Sequence, residues 1–292
     1  MSFWTKFVAY SLATFFIIFP ASLLWWAAGV LGRLWFDVFC FRRFTVLKNL
    51  QIAFPKWSKA EKLAVARQSM QSLCYGLMEF CQLPYMNQSY LKKYVQFHGF
   101  QNYEDALAKG KGVLLMSLHL GNGDVAMNMM VLRGLKLNVI SKLFKNKFSN
   151  DFWFGIRRQR GLKFIEPHGK STPFDILKAC KAKQAVVFVI DQFMGTPFGI
   201  ETYFFGRKTG SAYGLALFAR KTEAPVIPVY TYRDKDLITH IVFESEIPLE
   251  KNENRDLQNR QMTQKYNDKI EQIVRLHPEQ WMWVHRRWKT WE

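Results

Sequence analysis

From Phe7 to Gly32 the chain carries no charged residue. The run FVAYSLATFFIIFPASLLWWAAGVLG lies between Lys6 and Arg33, and its 26 residues drawn as one helix would reach about 39 Å, beyond the roughly 30 Å hydrocarbon layer of a bilayer. A cleaved signal peptide fits poorly, because the run is too long and ends in Trp25, Trp26 and a basic segment instead of a small-residue cleavage site. The run is therefore expected to anchor the chain to a membrane, by spanning it or by lying in one leaflet with a bend at Pro20. Arg33, Arg42, Arg43 and Lys48 follow closely, against Lys6 and the amino group on the other side. By the positive-inside rule the remainder of the chain belongs on the cytoplasmic face.

An anchor alone does not explain the charge. Lys+Arg number 41 and Asp+Glu 23, a formal +18 over 292 residues, which calls for an anionic partner such as nucleic acid, an anionic leaflet, a phosphorylated substrate or an acidic protein. No nucleic-acid-binding motif accompanies the charge, and a membrane anchor argues against that partner. With 49% hydrophobic and 16% aromatic residues the chain is a packed globule and not a disordered polymer. Cys40, Cys74, Cys81 and Cys180 show no CxxC or Cys/His spacing, so they read as reduced thiols, and neither a metal site nor a cofactor is expected.

Beyond the run the periodicity is mixed. Ser58 and Glu61 form a capping box ahead of a helical stretch from Lys59 to about Leu83 that Pro84 stops. Apolar runs at 112–118, 185–190, 226–230 and 237–243, and a weaker one at 137–141, read as strands. Helical stretches lie at 124–132, 148–160, after Thr172-Pro173, at 211–222 and at 257–276. Alternation of this kind predicts an α/β fold with a mixed, largely parallel sheet flanked by helices. The expected division is an anchor over residues 1–35 and one α/β domain over 36–292.

The chemistry is expected where the first buried strand ends. In Val113-Leu-Leu-Met-Ser-Leu-His119-Leu-Gly-Asn-Gly-Asp124 an apolar strand passes through a Gly-rich turn into a helix. On one continuous helix His119 and Asp124, five positions apart, would diverge by about 140°. A turn at Gly121 and Gly123 could instead bring the carboxylate to the imidazole, fix its tautomer and let the other nitrogen take a proton from an alcohol. A buried histidine that merely ends a strand is the plainer alternative.

This H-x4-D pair resembles the signature of the glycerolipid and lysophospholipid acyltransferase superfamily. Pro278-Glu-Gln-Trp-Met-Trp-Val-His-Arg-Arg-Trp288-Lys is similar to the closing motif of the bacterial lipid A late acyltransferases, the lauroyl and myristoyl transferases. Phe204-Phe205-Gly206, the stretch from Ser211 to Pro228, Asp191-Gln192 and Arg157-x3-Gly161 resemble further blocks of that family in the same order. Asp124 stands where many members carry Glu, and Ser211 where Thr is usual.

The resemblance implies transfer of a fatty acyl chain from an acyl thioester on acyl carrier protein to a hydroxyl of a phosphorylated glycolipid, a lipid A precursor, at the anionic inner-membrane leaflet of a bacterium. No acyl-enzyme is implied, and no nucleic acid. His119 is then the general base and Asp124 its partner. Arg157, Asp191, Phe204, Phe205, Gly206, Arg286 and Arg287 are the expected substrate-binding residues, Phe204-Phe205-Gly206 as an acceptor-side wall and the paired arginines as phosphate ligands. Each block also has a plainer reading as core or solvated surface. Alternatives for the whole chain are an acyltransferase with another lipid acceptor, a non-catalytic lipid-binding membrane protein, and a lipid hydrolase, which would lack the GxSxG elbow.

Overall fold

The computed structural model describes residues 1–289. Its apolar N-terminus is two helices, α1 (Phe3–Ile17) and α2 (Ala21–Arg33). Pro20 sits at the break, where a continuing helix would lose a hydrogen bond, and the bend measures 107°. Among the described residues no single helix is long and apolar enough to cross a membrane. Each helix turns a stripe spaced by four residues inward, Thr5, Ala9 and Ala13 from α1 and Leu24, Ala28 and Gly32 from α2, against α4 (Lys59–Gln82). The approach at Gly32 is close, since a Cβ there would stand 2.8 Å from the Gln71 amide nitrogen. α2 runs into a π-helical turn (Leu34–Val38), followed by α3 (Arg43–Ala53).

α4 begins on the expected capping box. Ser58 Oγ accepts from the Glu61 amide at 3.2 Å, and Glu61 Oε2 accepts from the Ser58 amide at 2.6 Å. The helix ends at Gln82, with Pro84 in the 3-10 turn that follows.

Among the described residues seven strands form one sheet in the order β1-β9-β8-β2-β5-β3-β4. β2 (Val113–Ser117), β3 (Leu137–Ile140), β4 (Lys163–Ile165), β5 (Ala185–Val189) and β8 (Val226–Arg233) run parallel. β9 (Thr239–Phe243) returns antiparallel to β8, and β1 (Val95–His98), which follows the short helix α5 (Gln88–Tyr94), pairs with it. Both faces are covered. Leu114 and Met116 of β2 join one core, which α9 (Thr172–Lys181), α10 (Gly214–Thr222) and α11 (Arg255–Leu276) help close; Val113 and Leu115 join the other, beneath α6 (Phe100–Ala108), α7 (Gly123–Leu132) and α8 (Lys147–Gln159). That two-sided burial is why β2 reads as a continuous apolar run.

Several boundaries differ from expectation. The helix foreseen from Ser211 starts at Gly214, because Ser211 and Ala212 close a separate hairpin of β6 (Gly199–Phe204) and β7 (Arg207–Ala212). β1 and β4 lie at the sheet edges, and at four and three residues they are too short to show a period. The strand expected from Leu237 starts at Thr239, because Asp234 Oδ1 accepts from the amides of Asp236 and Ile238, both at 2.9 Å, and folds that segment into a turn.

Candidate active site

The site follows from strand register. β2 and β5 are parallel neighbours with Ser117 opposite Val189, and the Ile190 amide donates to the Ser117 carbonyl at 3.1 Å. Two residues past each paired position stand His119 and Asp191, just beyond the carboxyl ends of adjacent strands, where doubly wound sheets carry ligands. Asp191 Oδ1 lies 2.8 Å from His119 Nδ1, and Asp191 Oδ2 accepts from the His119 amide at 3.0 Å. The carboxylate thus holds both the backbone and the ring of one residue. Among the described residues Nε2 has no hydrogen-bond partner.

The C-terminal segment clamps this pair. Gly121 N donates to the Gln280 carbonyl and Met282 N to the His119 carbonyl, each at 3.1 Å. These bonds put the Trp281 indole against Asp191, where Nε1 donates to Oδ2 at 2.8 Å. Gly121 has φ +58°, and a Cβ there would meet the Thr231 carbonyl oxygen at 2.6 Å, so the turn needs glycine at that position. Three donors converge on Asp191, which is 2% exposed. Burial opposes its ionisation, but the imidazole and these hydrogen bonds prevail and hold the carboxyl below the ordinary range. Burial likewise opposes charge on His119; Asp191, with Asp124 farther off, outweighs it, and the histidine pKa stands above its usual value.

Asp124 is placed differently from its expected role. The α7 N-cap is Asn122, whose Oδ1 accepts from the amides of Asp124 and Val125 at 3.2 and 3.3 Å. Asn122 Nδ2 donates to Gly76 O and to the buried Glu79, itself paired with Arg233. Asp124 stands in the first turn of α7, and its side chain pairs with the Arg157 guanidinium from α8 and not with the imidazole. The helix turns the carboxylate toward α8, while the parallel register has already placed Asp191 on the ring. Arg157 is 6% exposed and lies over the Trp153 and Phe80 rings, 4.8 and 5.5 Å from their centroids.

His119, Asp124, Arg157 and Gln192 line a cavity of about 1020 Å³ that runs over the sheet between α4, α7, α8, α9 and α10. Most of its wall is apolar, including Leu73, Met127, Phe154 and Leu217. A few polar groups in a large, mainly apolar cavity suit a substrate with a hydrocarbon chain and one reacting end. Among the described residues no group of three or more His, Cys, Asp or Glu side chains is placed to hold a metal ion.

The remaining expected ligands lie elsewhere. Arg287 is fully buried: Nη1 donates to Gly210 O at 2.6 Å and Thr209 Oγ1 at 3.2 Å, and Nη2 to Ser211 Oγ at 2.7 Å and Asn267 Oδ1 at 3.3 Å. Both Nη groups donate inside the protein and the side chain is closed off from solvent, which corrects the expectation that it grips a headgroup. Phe204 is buried among Trp281, Trp288 and Phe205, and its carbonyl accepts from Trp288 Nε1 at 2.9 Å. Phe205 and Gly206 turn the β6–β7 hairpin, and neither they nor Phe204 line the cavity. This block packs the C-terminal segment instead of walling an acceptor site. Arg286 is exposed. His285, pushed by burial to a pKa of about 4, stays neutral and accepts from the Phe193 amide at 3.1 Å, which holds the loop behind Asp191.

Asp191 as the imidazole partner and Trp281 as its clamp were not foreseen. A signal exists for the first: the apolar runs of β2 and β5 are offset by 72 residues, the spacing from His119 to Asp191. Nothing local in the sequence signals the second.

Comparison with known proteins gives the same organisation a family. The chain is 25% identical over 293 residues to the lipid A biosynthesis palmitoleoyltransferase of Escherichia coli K12, covering 92% of this chain and 91% of that one. It is 23% identical over 242 residues to a lipid A biosynthesis acyltransferase of Haemophilus influenzae, covering 83% and 74%, and 26% identical over 229 residues to a phosphatidylinositol mannoside acyltransferase of Mycobacterium tuberculosis, covering 75% and 69%. The model of the bacterial lipid A biosynthesis acyltransferases matches residues 1–290, nearly the whole sequence, and the chain belongs to that family.

Proposed function

We propose that this O-acyltransferase moves a fatty acyl chain from an acyl carrier protein thioester to a hydroxyl of a lipid A precursor, with His119 as general base. The observation that carries the reading is His119, held by Asp191, on the wall of a large and mainly apolar cavity. Nε2 removes the proton from the acceptor hydroxyl, whose oxygen attacks the thioester carbonyl. The tetrahedral oxyanion collapses by breaking the carbon–sulfur bond, and the imidazolium returns the proton to the leaving thiolate. Asp191 accepts from Nδ1–H throughout, which fixes the tautomer and stabilises the cation. Asp124 adds negative potential and Arg157 balances it, so both are positioning residues. The positive end of α7 favours the oxyanion.

The acceptor is a membrane lipid, and the N-terminal helices suit that. Trp26, Phe39 and Phe44 are 66%, 75% and 80% exposed on a surface that continues along the outer sides of α1 and α2, beside Arg33, Arg42 and Lys48. Two short helices bent apart and packed on α4 fit a chain lying in one leaflet on the cytoplasmic face of the inner membrane. The positive surface would also favour the acidic carrier protein.

His119→Ala should fold and bind membranes as before and lose transfer by about 10³-fold with purified donor and acceptor. Near-normal turnover would remove the mechanism. A second acceptor class is favoured by the resemblance to the mannoside acyltransferase. Lipid mass spectra of cells with and without the gene decide: a lipid A change by one acyl group supports the first reading, and a change only in another glycolipid supports the second.

A further inference from the structure

A second cavity, of about 400 Å³, lies between α3 and α4, lined by Arg43, Leu47, Gln51, Lys59, Lys62 and Leu63. It shares no lining residue with the large one. Three of the six side chains are cations and none is acidic. Lys62 is 8% exposed, and its Nζ donates to Gln51 Oε1 at 2.7 Å and to the Trp57 carbonyl at 2.6 Å. An ammonium has three donors, so one remains. Asp37 pairs with Arg43 and Arg67 at the edge of the cavity, and Glu61 accepts from the Ser58 amide, so among the described residues no carboxylate is paired with Lys59 or Lys62. A buried cation held only by neutral oxygens is costly to the fold, and a pocket of one sign with apolar walls concentrates potential on an anion.

The position of the pocket identifies the anion. Phe44, Leu47 and Gln51 recur at i, i+3 and i+7 on one face of α3, so the mouth adjoins the exposed apolar surface on which Phe44 stands. We infer that this cavity binds the phosphate of an anionic phospholipid headgroup from the leaflet on which the N-terminal helices lie. The inference rests on the membrane reading above. Lys62 holds the phosphate from inside and Lys59 covers it at the exposed mouth, with the Asp37-paired Arg43 in the wall, and the lipid's chains run along the neighbouring aromatic surface. Such a grip sets how the large cavity meets the membrane.

The test uses the full chain in a non-ionic detergent, exposed to phosphatidylglycerol or to phosphatidylcholine, with retained lipid counted by native mass spectrometry. Wild type should retain phosphatidylglycerol preferentially. At the usual contribution of a cation near a lipid surface, Lys59→Gln should lower that retention about fivefold and Lys59→Gln/Lys62→Gln about twentyfold, while Lys181→Gln/Lys183→Gln, exposed between α9 and the start of β5, should leave it unchanged. Since Lys59 is exposed, its single variant remains informative if the double variant folds poorly. Equal retention in all chains, or an equal loss in the control, overturns the site. Displacement of the lipid by excess inorganic phosphate would show a soluble phosphate ligand and overturn the lipid assignment. Flotation of the wild type with phosphatidylcholine vesicles reports separately: a chain that floats but shows no Lys59 or Lys62 dependence loses only this site, and one that does not float loses the membrane reading as well.

Discussion

Arg157 and Arg287 are both buried arginines that the sequence presents as anion ligands, and the fold uses them in opposite ways. Arg287 meets only neutral oxygens of the β6–β7 hairpin and α11, and every contact is internal. Arg157 meets a carboxylate and stands on the wall of the large cavity. An arginine ringed by backbone and hydroxyl acceptors ties segments together; one paired with an acid at a cavity wall adjusts the field where a substrate sits. Residue type alone does not separate the two uses. The direction of the donors does.

The sharpest way to break this contrast is Arg287→Met. It should cost about 3 kcal/mol of stability, as buried acceptors lose their donors, yet leave turnover per folded molecule near normal, read by urea unfolding and by assay of the soluble fraction. A large loss of kcat in a well-folded variant would put Arg287 in the site. Next in size, Asp191→Asn should lower kcat about a hundredfold, or about 2.7 kcal/mol of barrier, with little change in KM.

The pH profile sharpens the second case. In the proposed mechanism the base is neutral His119, and its pKa is raised, so rate should climb with pH through a value above about 6.5. Stability runs the other way: the contribution of the charged pair is complete below the unfolded histidine pKa and is lost as pH rises through the folded one. Asp191→Asn removes the main raising influence and should move the rate limb to lower pH. A limb that does not move would detach Asp191 from the base. The smallest effect belongs to Arg286→Gln, an exposed site where stability should stay within about 0.5 kcal/mol and turnover near wild type.

Legibility followed local strength. The capping box and twenty-four residues of α4, and the apolar strands β2, β5 and β8, are readable because their periods repeat over enough positions. β1 and β4 are not, since each is a short edge strand whose pairing and not its composition makes it a strand. The packing role of Phe204 and Phe205 is not legible, because buried aromatics look alike in sequence whether they face substrate or core. The place of His119 just past the end of β2 is legible because the change from strand to Gly-rich turn is local.

The sequence by itself determined the apolar N-terminus, the two-sided parallel sheet, the basic balance and His119 at a strand end, since each rests on neighbours within a few residues. The tertiary structure decided which carboxylate reaches the imidazole, that Arg287 faces inward, and that α3 and α4 enclose an uncompensated lysine. Those depend on register between β2 and β5 and on how distant segments close over one another. Side-chain direction there is fixed by packing, which no local spacing encodes.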